Sequence, residues 1–399
     1  MGQNGSTTHK NNVIDKSNNN SMDLSPQFYE RKLLKRCEHI DFDIDAWYKI
    51  LHSQTFHTEF ISISPTIARA FVNYYQTRYN SKNFLTFNDL KSIQSIQDQL
   101  KEQISGSFIR LSSRSPKDGQ PLDLETLKKF YYQELNLLKT NYPNEYDTIN
   151  GKANIEMIAY CYGQFHSLKV TNELEALNLI LSSERIFLDL LDALYCQEVQ
   201  DKKNFNLSNI KLHDWNNNII IREWNNSLDP SMEFRCFVYQ SNLTAISQYN
   251  HYCKFYHLQN DLIIQQIKNV IIKYWQEKLK PILDKFTEKY SNCIIDIGVI
   301  KKNLTDEFEC IVIEMNPFAS STGPSLFNWK IDYDQLTGQK NDIEIRIRSD
   351  FYPNIDEYIK FVFQEIKFNS EDNVLHNDDD DDDEPYFLFL NKIKTQLSA

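Results

Sequence analysis

The spacing of apolar and polar positions divides the chain into three stretches. Residues 1 to 25 are polar, rich in Asn and Ser, and carry no hydrophobic periodicity, which predicts a disordered leader. From 26 to 366 apolar residues recur at helical or strand intervals, which predicts a folded body. Residues 367–399 hold an acidic run followed by the apolar tail Tyr386-Phe387-Leu388-Phe389-Leu390.

Within the body, Thr55 to Ile63 reads as a turn entering a strand, and Ile67 to Arg78 as an amphipathic helix. Phe108 to Leu111 predicts a short strand that runs into the polar, turn-rich segment Ser112 to Gly119. Leu124 to Leu138 predicts a helix. Leu174, Leu177, Ile180 and Leu181 extend to one continuous helix over Asn172 to Glu198. The pattern then becomes β-rich. Ile219 to Trp224, Glu233 to Tyr239 and Leu243 to Gln248 read as strands, with polar Gln240 to Asn242 as a hairpin turn. A helix over Gln259 to Tyr290, interrupted near Pro281, precedes the strands Cys293 to Ile300 and Glu309 to Met315. The order predicts an α+β body with an N-terminal lobe reaching to about residue 215.

With 41% hydrophobic residues among 399, the chain has ample material for a core. The formal net charge is −12, and seven of the negative charges lie in the single run Asp378 to Glu384. A mildly acidic remainder predicts no nucleic-acid partner. The seven cysteines are odd in number and form no C-x-x-C pair, which predicts free thiols in a reducing, cytoplasmic compartment. No apolar stretch approaches the roughly 20 residues that span a bilayer. Met1-Gly2-Gln3-Asn4-Gly5-Ser6 fits the N-myristoylation pattern. It is also a match that a Gly/Asn/Ser-rich leader makes by chance; a myristoylated Gly2 would give weak membrane contact only.

Three groups of residues carry candidate chemistry. Asp296 interrupts an apolar strand, and Glu314 and Asn316, two apart, share a strand face. If the strands pair, three oxygen-bearing side chains converge, a set suited to magnesium. Two carboxylates so close predict mutual repulsion in the metal-free protein. The other reading makes each acid the partner of a structural arginine. Arg110, Lys117 and Arg235 form a cationic set able to neutralise phosphates, with Gln248 ambiguous at the hairpin's end. Arg222, Glu223 and Trp224 end a strand where a connector between lobes could hold a base; a half-buried strand with Trp224 in the core fits the same residues. There is no G-x-x-x-x-G-K-[ST] loop, no G-x-G-x-x-G and no Ser/His/Asp arrangement.

Together, Glu233-Phe234-Arg235-Cys236-Phe237-Val238, Ile246-Ser247-Gln248, Asp296, Glu314-Met315-Asn316-Pro317-Phe318 and Leu326-Phe327-Asn328-Trp329 resemble the cell-division-cycle protein 123 family. Trp47-Tyr48 and Thr55-Phe56 with Phe60-Ile61 match its N-terminal block. The resemblance implies an ATP-grasp fold with nucleotide between two lobes, and ATP and Mg2+ as ligands. It also implies a chaperone role in assembly of translation initiation factor 2 through its gamma subunit. By resemblance, Asp296, Glu314 and Asn316 hold magnesium, Arg235 binds phosphate, and Arg222 to Trp224 form the hinge. The family's Lys-Leu-Asn-Trp-Ser-Ala-Pro block reads Arg110-Leu111-Ser112-Ser113-Arg114-Ser115-Pro116 here, with Ser113 in the Trp position. This departure opens the reading of a divergent paralogue with another partner. The alternative function is an ATP-grasp ligase or kinase, for which the sequence identifies no acceptor site.

Overall fold

The computed structural model describes residues 39–77, 84–119, 121, 124–201, 215–302 and 307–365. The polar leader with Gly2, the acidic run and the apolar tail lie outside the described residues. The body mixes α and β structure and contains two sheets. Strands β1 (Thr58–Ser62), β2 (Ser107–Leu111), β3 (Lys169–Val170) and β4 (Asn218–Glu223) form the first, in the order β1-β4-β2-β3, antiparallel throughout. Strands β5 (Glu233–Tyr239), β6 (Asn242–Gln248), β7 (Cys293–Lys301), β8 (Phe308–Pro317) and β9 (Glu344–Arg346) form the second, in the order β8-β7-β5-β6-β9. In that sheet the β6–β9 pair is parallel and the others are antiparallel.

The principal helices are α1 (Ile44–Leu51), α2 (Pro65–Thr77), α3 (Phe87–Gln103), α4 (Glu125–Asn141), α5 (Ile149–Ser167), α6 (Glu173–Ser182), α7 (Glu184–Asp201), α8 (Asp261–Tyr274) and α9 (Ile355–Glu365). Local chemistry starts several of them. Thr86 and Asp89 form a reciprocal capping box at α3. Asn172 and Asn260 accept backbone N–H groups at the starts of α6 and α8.

Strand alternation decides which side chains meet. In the first sheet, Ile109, Leu111, Ile219 and Ile221 pack against Ile96 and Leu100 of α3 and Leu177 and Ile180 of α6. Arg110 and Arg222 therefore point to the other face, toward the second sheet. In the second sheet, Phe234, Cys236, Val238, Ile295 and Ile297 bury one face against α1, α4, α5 and α8. Each such large apolar side chain contributes about 1.5–3 kcal/mol. The opposite face carries Phe237, Ala245 and Ile294 at one end, under Phe327 and Leu336. Its other end carries charge.

The β5–β6 hairpin forms at the expected turn. Gln240 and Ser241 both take positive φ, 48° and 57°, the geometry that matches strand twist. Neither is glycine, and three contacts hold the turn: Asn292 and the Ser291 carbonyl accept its N–H groups, and Lys280 donates to the Ser241 carbonyl.

Two helical expectations change. The segment expected as one helix over Asn172 to Glu198 is two, α6 and α7, because Ser183 adopts extended backbone (φ −79°, ψ 119°). The Ser183 hydroxyl accepts the Ile186 N–H and donates to Asp118, whose carboxylate also accepts the Arg185 N–H. A helix start is thus capped inside an apolar run whose period gave no sign of it. In the second case, α8 ends at Tyr274 and a π-turn follows over Trp275–Leu279, ahead of Pro281. The proline ring has no N–H and crowds the carbonyl four residues back, so the turn before it widens.

Asn154, fully buried in α5, clips this helix to the second sheet's side. Its Nδ2 donates to the Lys254 carbonyl at 3.0 Å and its Oδ1 accepts the Lys254 N–H at 2.9 Å. Asn154→Ala orphans both groups, and unfolding in urea should show a loss of about 1–3 kcal/mol for each left unsatisfied.

Candidate functional site

The charged end of the second sheet is built by cross-strand register. Arg235 on β5 faces Asp296 on β7, and Asp296 faces Glu314 on β8. A bulge follows, since Ile297 pairs with Val312 rather than Ile313. The Ile313 carbonyl accepts Arg222 Nη1 from the first sheet at 2.7 Å. Arg222 Nη2 donates to Thr55 Oγ1 at 2.6 Å, and its guanidinium lies 4.6 Å from the Phe56 ring centroid. Arg222 is therefore a buried rivet between the sheets. Burial, then the neighbouring Arg110, pull its pKa down to about 9, which leaves it charged at neutral pH.

Each acid of the expected metal set has a cationic or amide partner. Asp296 has no exposed surface and is held by Arg235 in a two-pronged pair, Nε to Oδ1 and Nη2 to Oδ2, both at 2.8 Å. Arg235 also donates to the Gly323 carbonyl, and its guanidinium lies 5.0 Å from the Tyr249 ring centroid. Glu314 Oε1 lies 2.7 Å from Arg110 Nη1. Burial works against its charge, but Arg110, Lys117 and Arg235 push its pKa down to about 2. Asn316 Nδ2 donates to Asp296 Oδ2 at 3.1 Å. The two acids, cross-strand neighbours, are thus each matched by an arginine, Asp296 by Arg235 and Glu314 by Arg110, so the expected repulsion does not stand uncompensated.

Lys117 reaches the same cluster from the loop after β2. Its Nζ donates to Tyr249 Oη at 3.0 Å. Burial opposes its charge, yet Tyr249, Glu233 and Glu314 hold its pKa above the ordinary value. Glu233, two residues before Arg235, is pushed up to about 7 by burial and by Asp296 and Glu314, against the pull of Lys117 and Arg235. Arg110, Lys117, Arg222 and Arg235 thus converge on the seam with Asp296, Glu314 and Glu233, and Asp45 adds a further buried carboxylate beside Arg110.

Of two cavities, only the first is lined by residues of the cluster. This one, of about 430 Å³, is lined by Arg235, Tyr249, Glu314 and Asn316 on one side and Ser113, Arg114, Arg185 and Asp189 on the other. Asp296 lies behind its wall. A second, of about 400 Å³, is lined by Trp224, Phe130, His166, Lys169, Pro121 and Glu175. The loop from Ser113 to Pro121 runs from the first cavity to the second, with Lys117 between them.

The remaining sequence candidates fall in different places. Trp224 packs on Phe165, ring centroids 4.9 Å apart, and opens on the second cavity. The Glu223 side chain is exposed, while its N–H donates to the His57 carbonyl. Gln248 pairs with Phe234, which puts it on the opposite face from Arg235. Its amide is spent on the Asn250 and Cys253 carbonyls and the Arg348 N–H. Tyr249 and Glu233 were missed by the sequence reading. The two-residue period from Arg235 to Glu233 was available; nothing marked Tyr249.

Both acids of the expected metal set are paired with arginines, as the other reading of the sequence had it. Glu314 and Asn316 bring oxygen atoms to the cavity wall, and Asp296 stands behind them. Among the described residues no group of three His, Cys, Asp or Glu could hold a metal unaided. Magnesium needs no such cage when phosphates complete its shell.

The D123 family model matches residues 162–360. The chain belongs to the D123 family. A putative CDC123-like protein of Acanthamoeba polyphaga mimivirus is 34% identical over 180 residues, covering 43% of this chain and 46% of that one. A translation initiation factor eIF2 assembly protein of Dictyostelium discoideum is 29% identical over 178 residues, covering 45% of this chain and 40% of that one. The matches thus span less than half the length of these curated relatives. The structure of Cdc123 from Schizosaccharomyces pombe shares 21% identity at a TM-score of 0.48, covering 80% of this chain and 98% of that one. In this D123-family chain Arg222, Arg235, Asp296, Glu314 and Asn316 lie inside the matched segment, while Arg110 and Lys117 precede it. No helix among the described residues is long and apolar enough to cross a membrane.

Asp296→Asn should leave Arg235 buried without a counter-charge and destabilise the metal-free chain by about 3–5 kcal/mol. Denaturant unfolding reads this directly; unchanged stability would mean that the pair is not formed. The pH dependence separates the two glutamates. Glu233 binds its proton more tightly folded than unfolded, so through it stability falls as pH rises from about 4.5 to about 7. Glu314 contributes stability above its ordinary value of 4.5 that is lost as pH falls toward 2. Glu233→Gln should abolish the first slope and leave the second, as measured by unfolding across that range.

Proposed function

We propose that this chain binds Mg·ATP between its two sheets in an ATP-grasp arrangement. We propose further that it acts in the cytoplasm as a chaperone in assembly of translation initiation factor 2, engaging the gamma subunit. The observation that carries the nucleotide reading is the convergence of Arg110, Lys117 and Arg235 from both sheets beside an open cavity. A polyphosphate supplies negative charge to these cations in a low-dielectric seam, where each charge-assisted hydrogen bond is strong. Lys117, Arg110 and Arg235 would meet the phosphates, and Glu314 and Asn316 would give magnesium its protein oxygens. Trp224 and the second cavity would take the base. Magnesium, when bound, neutralises phosphate charge. The partner reading is supported by family membership and by the relatives named as eIF2 assembly proteins.

The residues nearest the cavity give a test that spares the buried pair. Glu314→Gln should weaken ATP binding in magnesium far more than in chelator, by calorimetry. Lys117→Met should weaken ATP by about 1.5–3 kcal/mol while leaving AMP nearly unaffected. Equal effects on all ligands would remove these residues from the phosphate site. Capture of the purified gamma subunit, with and without Mg·ATP, tests the partner; no capture in either condition would defeat it.

A further inference from the structure

The first cavity has a second wall that the nucleotide reading does not use. Ser113 Oγ donates to Asp189 Oδ2 at 2.7 Å, and Arg114 Nε donates to the same oxygen at 3.0 Å. Ser113 and Asp189 line the cavity together with Arg235, Glu314 and Asn316. Two other serines line it. Ser115 is buried, and Ser321 shares a hydrogen bond with His39. Ser113 is half-buried with its hydroxyl on a carboxylate, the pairing that turns an alcohol into a nucleophile. The loop that carries it is pinned at its far end as well, where Asp118 caps α7 through Ser183 and Arg185. Ser113 is thus held against a fixed helix.

We propose that Ser113 is a phosphoryl acceptor, taking the terminal phosphoryl group of ATP while Asp189 takes the hydroxyl proton. The proposal rests on the nucleotide reading above. Ser113 Oγ forms a bond to the γ-phosphorus, the bond from that phosphorus to the β–γ bridging oxygen breaks, and ADP leaves. The hydroxyl proton passes to Asp189 and then to water. The product phosphoserine would face Arg114 and Arg185, whose guanidinium groups suit its charge. A positioned carboxylate beside a hydroxyl and in-line phosphates is the recurring arrangement for this transfer.

The test uses the full chain with Mg·ATP, intact-mass measurement and fragment mapping, with ATP affinity measured by calorimetry in parallel. The expected result is a gain of one phosphoryl group per chain, mapped to Ser113. Ser113→Ala should abolish it with ATP affinity within about twofold of the parent, and Ser113→Thr should retain it. Asp189→Asn should slow it about 100-fold or more while ATP still binds, which a purely structural anchor of the loop would not do. ATP bound with no mass gain, or a phosphoryl group mapped to Ser115 or Ser321, overturns the proposal alone. No binding of ATP overturns both this proposal and the nucleotide reading, and the calorimetry tells the two failures apart.

Discussion

Asp296 sits in the middle of an apolar strand with no exposed surface, and the Arg235 guanidinium is what makes that tolerable. A lone buried carboxylate costs several kcal/mol; a two-pronged partner with matched geometry offsets most of it. The pair fixes more than one residue each. It locks β5 against β7 at one register, since a slip of one residue would turn the slipped strand's charge into the apolar core behind the sheet and leave the other unpaired. Through Arg235 it also holds the Gly323 carbonyl and sets the guanidinium against Tyr249.

The rest of the seam is built from further charged groups that meet beside this pair. Arg110 and Lys117 come from the first sheet's side and find Glu314, Glu233 and Tyr249 on the second. Arg222 spans the same seam by hydrogen bonds to the bulged strand rather than by an ion pair. The two sheets are therefore joined by polar contacts between opposed faces and by apolar packing in which Ile220 of the first sheet joins the core of the second. Such a seam has high stakes, because every group left unpaired in it is costly. It also adjoins a cavity onto which Arg235, Glu314 and Asn316 open.

Alternation along single strands was enough to place Glu314 and Asn316 on one face and to make Asp296 conspicuous, because a period of two needs no distant information. The hairpin at Gln240 and Ser241 was legible for the same reason. The apolar runs of β5 and β7, and the interruption of the helix ahead of Pro281, are also local properties. What alternation could not supply was the identity of each acid's partner. Arg235 and Asp296 lie 61 positions apart, and Arg110 and Glu314 lie farther still. Only the strand order β8-β7-β5, with the first sheet folded over it, decides that each carboxylate has an arginine for its partner.

The same limit accounts for the other differences. Helix α5 is buried on most sides, so its apolar residues make no stripe that would announce a helix. The break between α6 and α7 depends on Asp118, brought in from a loop 65 positions earlier to cap a helix that periodicity would have continued. Gln248 looked like part of the hairpin's polar end, but its place opposite Phe234 turns it to the far face and commits its amide to the backbone. The sequence by itself determined seven of the nine strands, all but the short β3 and β9, along with their faces, the charged residue types and the family. Tertiary structure alone decided which charges neutralise one another, which side chains reach the cavities, and that Ser113 lies beside Asp189. Those outcomes are set by contacts between segments that chain spacing leaves independent.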